Sequence, residues 1–297
     1  MNRKYLNLAL LVLFLGLGAV LYFGDEQDEE ETPLTALAAA DVERVQIDHP
    51  QQTPTVLVKQ DGDWRLSSPV EARADNFEVN SLLALADTPV HKQFPAAGTD
   101  LAGLGLSPPK YTITLNNRVI DFGDTEPLQH QRYVMLDDEV ALIDDLGSAA
   151  FDEDPSDLVA KTLLPDGARL SRIELPNLVL VRKDDRWQSE PERPEATSER
   201  IEALVDAWSR ARAMWNEAIP ETGGGDPLTL VLEDGRQIHL IVAAREPQLI
   251  LERPDYGVRY HLSKALADEL LRLPPATDAA ADESETTEVA PTAEEPD

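Results

Sequence analysis

Apolar and polar positions follow one pattern twice along this chain. Val56 and Val58, two positions apart, lead to an outward Lys59 and into Lys59-Gln-Asp-Gly-Asp-Trp64-Arg-Leu66-Ser-Ser-Pro69. The order returns as Leu178 to Val181, followed by Arg182-Lys183-Asp-Asp-Arg-Trp187-Gln-Ser-Glu-Pro191. Alternation at period two predicts half-buried strands, and an acidic turn joins each pair. Gly62 supplies a positive φ in the first turn. Helical spacing follows each proline. Asp75 to Ala86 sets Val79, Leu82, Leu83 and Ala86 on one face, with Asp75 or Asn76 as N-cap. Ser198 to Trp215 does the same with Ile201, Leu204, Val205 and Trp208.

Around these segments the pattern predicts further strands. Val45 and Ile47 alternate within 42–47. Tyr111–Leu115, Val119–Phe122, Tyr133–Leu136 and Val140–Ile143 follow the first helix, with turns at Asn116-Asn117 and Asp137-Asp138. Leu101 to Pro109 holds two prolines and two glycines and reads as a shaped loop. Asp157 to Leu164 is a short helix or connector. The second series runs through Ile173–Leu175, Thr229–Leu232, Ile238–Val242, Leu249–Leu251 and Val258–Leu262, and Leu266–Leu273 closes it as a helix. One such unit alone leaves a sheet face and an edge uncovered, which two units can cover. The expected class is α+β: two tandem, mainly antiparallel sheet-plus-helix units after a single N-terminal transmembrane helix.

The two ends differ from the middle. Tyr5 to Phe23 is apolar except for Asn7, and about 19 residues at 1.5 Å rise reach across a bilayer core. Arg3 and Lys4 precede the run, and no Lys or Arg occurs from Gly24 to Val42. Basic residues stay on the cytoplasmic side, so the rest of the chain is expected in the periplasm, on a single-pass inner-membrane anchor. A signal peptide cleaved near Gly16-Leu-Gly18 is the alternative, although Val20 to Phe23 carries the apolar run past that point. The organisation expected is an anchor over 1–24, an acidic spacer over 25–37, a first unit over 38–160, a diverged second unit over 161–274, and a disordered acidic tail over 275–297.

Charge and residue usage narrow the chemistry. The formal net charge is −30 over 297 residues, which disfavours nucleic acid, because phosphate binding needs clustered Lys and Arg. There is no Cys, so disulfides and thiolate chemistry are excluded. His49, His91, His130, His239 and His261 share no metal-binding spacing, although His239 and His261 lie in strands that could pair. There is no Gly-x-Ser-x-Gly elbow. Gly223-Gly224-Gly225 lacks the Lys-Ser/Thr of a phosphate loop, and Asp226 would repel phosphate. No cofactor or metal is expected.

Asp61-Gly62-Asp63-Trp64, Ala74-Asp75, Gly105-Leu106-Ser107-Pro108, Phe122-Gly123, Tyr133-Val134 and the connector Asp157 to Leu164 together resemble a bacterial membrane-anchored family, domain of unknown function 4340. The resemblance covers about Leu34 to Leu273 and is strongest in the first unit. Asp184-Asp185-Arg186 lacks the turn glycine, and Gly224-Gly225-Asp226-Pro227 lacks the leucine, so the second unit looks like a diverged copy. The resemblance carries no catalytic residues. It implies company with ABC-type transporter subunits, including those of gliding motility.

Two places are candidates for contact with a partner or ligand. Leu104 and Leu106 make the loop before Tyr111 unusually apolar, so it either plugs the sheet or docks on a partner. Trp187, Trp215 and Gly224 flank the expected cleft between units, with Trp208 and Trp215 near one face of the second helix. The function expected is a non-enzymatic, membrane-anchored periplasmic accessory or scaffold protein. Its partners would be the bilayer and an inner-membrane complex such as an ABC-type permease. A periplasmic binding module for an envelope glycan or peptide is the alternative.

Overall fold

The computed structural model describes residues 32–145, 154–220 and 224–275. The expected anchor, most of the spacer, Gly223 and nearly all of the acidic tail lie outside the described residues. No helix among the described residues is long and apolar enough to cross a membrane.

The described residues form two compact units. One takes those within Met1–Val42 and Leu83–Leu146, the other those within Glu43–Leu82 and Gly147–Asp297. This grouping differs from a division at 160, because the segment after Asp154 bonds to residues 72–78, as described below. Among the described residues the strand pairings within each unit are antiparallel and helices are few, as in an α+β or mostly-β fold.

The first unit contains β5 (Val90–Pro95), β6 (Tyr111–Leu115), β7 (Arg118–Thr125), β8 (Gln131–Leu136) and β9 (Glu139–Asp144). They run in the order β6-β7-β8-β9-β5. Burial has period two where the sequence alternates: Tyr111, Ile113 and Leu115 point inward from β6, and Ile120 and Phe122 from β7. The Tyr111 and Phe122 rings stack with centroids 4.6 Å apart.

The second unit begins with β1 (Arg44–Asp48), β2 (Thr55–Gln60), β3 (Asp63–Ser68), β4 (Ala72–Arg73) and α1 (Asn76–Leu83). It continues with β10 (Leu170–Leu175), β11 (Leu178–Lys183), β12 (Arg186–Ser189), α2 (Ser198–Arg210) and β13 (Trp215–Ala218). It ends with β14 (Asp226–Leu232), β15 (Gln237–Ala244), β16 (Leu249–Arg253), β17 (Val258–Leu262) and α3 (Ala265–Leu271). The first strands lie as β4-β3-β2-β1, and the later ones as β12-β11-β10-β14-β15-β16-β17-β13. β10-β11-β12 thus repeats the meander of β1-β2-β3. β14-β15-β16-β17-β13 repeats the order of β6-β7-β8-β9-β5, with the strand that follows the helix placed last each time.

Turn chemistry differs between the two meanders while the positive φ values are kept. Asp61 (φ 53) and Gly62 (φ 94) join β2 to β3. Asp184 (φ 49) and Asp185 (φ 60) join β11 to β12 without a glycine. Two consecutive positive φ values make the tight hairpin turn that matches strand twist, and Asp tolerates that region.

Helix α2 corrects one expectation. It stops at Arg210 instead of reaching Trp215. The Ala211 carbonyl accepts from Leu163 N (3.3 Å), Ala213 N donates to the Lys161 carbonyl (2.8 Å), and Arg212 bridges Thr162. Long-range pairing outweighs the helical periodicity that Trp208 and Trp215 suggest. Inside α2, Ile201, Leu204 and Trp208 are buried, and Trp208 Nε1 donates to the Leu270 carbonyl of α3 at 3.0 Å. The strands β5 and β13 were not expected. In β5 no residue is fully buried, so no alternation marks it.

Candidate functional site

The connector bonds to two separate parts of the second unit. A 3₁₀ turn over Pro155–Leu158 is capped by Asp154, whose carboxylate accepts from Ser156 N. Beyond it the chain runs extended between two partners. On one side lie β4 and α1: Asp75 N donates to the Leu158 carbonyl (2.8 Å), Ala160 N donates to the Arg73 carbonyl (2.9 Å), and Ala74 bridges Val159. On the other side lie residues 211–218. Asn216 Nδ2 donates to the carbonyls of Ser156 (3.2 Å) and Val159 (2.8 Å), and Ala218 N donates to Asp154 Oδ2 (3.0 Å). These bonds occupy the outer side of β13, which would otherwise be a bare sheet edge.

Charges reinforce this tie. Asp75, 4% exposed, accepts from Phe77 N (3.0 Å) and Glu78 N (3.4 Å) as the N-cap of α1. Its other oxygen meets Arg212 at 3.3 Å. Lys161 Nζ pairs with Glu78 at 3.0 Å, both half-buried. Arg73 donates to the carbonyls of Thr162 (2.7 Å) and Leu164 (2.9 Å). Burial, with Arg253 adding to it, lowers the Arg73 guanidinium from its ordinary pKa against the opposing pull of Tyr256 and Tyr260. Burial also raises the carboxyl of Asp157, an effect that Lys161 opposes. Tyr260, buried beside Arg253, is pushed up to about 12 by its burial.

Where β13 leaves the tie, it presents an aromatic platform. Register pairs Trp215 with His261 and Glu217 with Arg259 across β13 and β17, and Arg259 with Glu252 across β17 and β16. Directly opposed residues share a sheet face. The Trp215 and His261 rings therefore stack at 4.7 Å, 13° from parallel. His261 is buried, while Trp215 is 40% exposed and its neighbour Met214 is 49% exposed. Glu217 sits 3.1 Å from His261 Nε2 and 3.3 Å from Arg259. Arg259 reaches on to the buried Glu252 at 2.5 Å. The result is an open indole and thioether beside an ordered row of charges. Its chemistry suits stacking and hydrogen bonding with another surface or a ring. Among the described residues, no three His, Asp or Glu side chains converge to hold a metal.

The other expected contacts fall elsewhere. Trp187 is buried at 9% exposure beneath α2 and is not a surface residue. Leu106 is buried at 2%, with Leu104 half-buried, so the loop plugs its own unit. The Leu104 carbonyl accepts from Asp124 N at 2.8 Å, and a Cβ on Gly123 would lie 2.3 Å from that oxygen. The pairing of Phe122-Gly123 with the Gly-Leu-x-Pro loop has this steric cause. Gly224 is exposed, and its neighbour Gly225 makes the equivalent close approach, to the Val242 carbonyl. His239 and His261 do not pair, because β16 lies between their strands; His239 instead faces Thr229. The tie itself went unforeseen. Only the apolar run in Asp157 to Leu164 hinted at it.

Antiparallel sheets with few helices, an ordered connector and an open aromatic platform are what the described residues present, an α+β or mostly-β architecture. The family model described as Domain of unknown function (DUF4340) matches residues 64–215, just over half of the chain, and the chain belongs to that family. The match opens at Trp64 and closes at Trp215, so it contains the charged residues that make the tie: Arg73, Asp75, Glu78, Asp154, Lys161 and Arg212. No curated protein and no solved structure matches.

Proposed function

We propose that this chain is a non-enzymatic accessory or scaffold protein, anchored in the inner membrane by Tyr5–Phe23 with its folded part in the periplasm. Its partner is an inner-membrane complex of the ABC-type permease class. The carrying observation is the platform at Met214 and Trp215: two large apolar side chains exposed at the start of an edge strand whose backbone is already tied down. Aromatic and Met side chains held on a rigid frame are typical anchors of protein interfaces. The strand order that appears twice supports a tandem duplication, with the second copy carrying the platform.

Orientation is the first test. An alkaline phosphatase fusion after Leu273 is expected to be active, and protease added to spheroplasts is expected to digest the region from Leu34 to Leu273. An inactive fusion together with full protection would reverse the topology and remove this reading.

A second reading has its own support. Trp215 has one ring face on His261, and Glu217, Arg259 and Gln248 lie around the pair, an arrangement that suits a sugar ring. The alternative function is therefore a binding module for an envelope glycan. Glycan fragments that raise the melting temperature of the wild type but not of Trp215→Ala would favour it.

A further inference from the structure

Three arginines meet in one pocket of a strongly acidic protein. Arg65 and Arg73 are direct partners in the β3–β4 register, so their side chains share a face. Arg236 reaches the same pocket from the turn between β14 and β15. The pocket holds about 230 Å³ and is also lined by Asp63, Asn76 and Asp166.

Their partners show what is missing. Arg236 is neutralised by Asp234, at 2.7 Å. Arg73 spends its hydrogen bonds on the oxygens of Thr162 and Leu164, none of them a carboxylate. Arg65 has no hydrogen-bond or ion-pair partner among the described residues. Like charges directly opposite on adjacent strands are destabilising. A chain with 56 acidic residues against 26 basic ones has carboxylates to spare, yet pairs none with either guanidinium. Asp63 and Asp166 line the pocket without forming an ion pair with any of the three arginines.

We propose that this pocket binds a phosphate that still carries a hydroxyl, either hydrogen phosphate or the monoanion of a phosphate monoester. The Arg65 and Arg73 guanidiniums donate to its oxygens, and Asp63 or Asp166 accepts from its P–OH. Guanidinium forks match phosphate geometry. Unpaired carboxylates on the rim reject an oxyanion that has no proton to donate, so sulfate is discriminated against.

The test uses the full chain in detergent at about pH 6, where about half of a monoester keeps its P–OH proton. Melting is followed in inorganic phosphate, glycerol 3-phosphate or sulfate at equal ionic strength. Sulfate controls for the general stabilisation that such salts give. With a Kd of about 1 mM, about 10 mM ligand raises the melting temperature by about 3–5 °C beyond sulfate. Arg65→Gln removes that excess. Because Arg65 holds no partner, this variant also melts no lower than wild type without ligand. Arg118→Gln, in the first unit, keeps the excess. A response to phosphate supports the free ion, and a response to glycerol 3-phosphate alone supports a monoester as the source. Equal responses to sulfate and both phosphates, or an excess that survives in Arg65→Gln, would overturn the proposal.

Discussion

Asp75 and Arg212 lie 137 positions apart and meet at 3.3 Å, the carboxylate almost fully buried and the guanidinium half in water. The same carboxylate caps α1, so one side chain both starts a helix and holds the segment that leads into β13.

Replacing Asp75 separates these roles. Asp75→Ala removes cap and ion pair together and is expected to lower stability by about 2–4 kcal/mol. Asp75→Asn keeps an acceptor for the cap and is expected to cost about half as much. Urea unfolding of the second unit, followed by Trp fluorescence, checks both values.

Gly123 is the steric hinge of the first unit. Gly123→Ala pushes a methyl group against the Leu104 carbonyl and the Leu106 side chain. The expected loss is about 2–3 kcal/mol, typical of overpacking, with faster amide exchange across 101–109. Unchanged exchange there would show that the loop can retreat without cost.

Trp208 couples α2 to α3 through its indole N–H. Trp208→Phe leaves the Leu270 carbonyl without that donor, at a cost of about 1–3 kcal/mol. Hydrogen exchange in Ala265–Leu271 is expected to rise more than exchange in α2.

Asp157 predicts a pH dependence. Its folded pKa is raised by burial, so the folded state holds this proton more tightly than the unfolded state does. The resulting stability is complete below the unfolded pKa and is lost as pH rises through the folded value. Asp157→Asn is therefore expected to stabilise the protein at neutral pH and to make little difference in strong acid. Chemical denaturation of wild type and variant across that window tests the sign.

Much of the architecture was legible in the chain, for a specific reason. β3, β6 and β14 each bury one face, so their sequences alternate, while β2 and β11 show as short apolar runs before an acidic turn. β13 does not. Its four residues, Trp-Asn-Glu-Ala, bury only Asn216, and a polar side chain that binds the connector looks like a loop residue. The platform was legible only as the residue Trp215. His261 joins it through strand register, which is set by pairing across the sheet and not by local spacing. Arg65 and Arg73 were hidden for the same reason, since β4 is two residues long.

The account rests on Trp215 as the docking point for a membrane partner. The most direct measurement is co-purification of the intact chain from mild-detergent extracts, wild type against Trp215→Ala, with the recovered proteins identified by mass spectrometry. Trp215 is exposed and stacks on His261, so the variant is expected to fold and to reach the membrane in equal amount. The account predicts that wild type recovers integral subunits of the permease class and that the variant loses them at least about tenfold, as for a central aromatic anchor. Equal recovery with both chains, or no membrane partner with either, would contradict it.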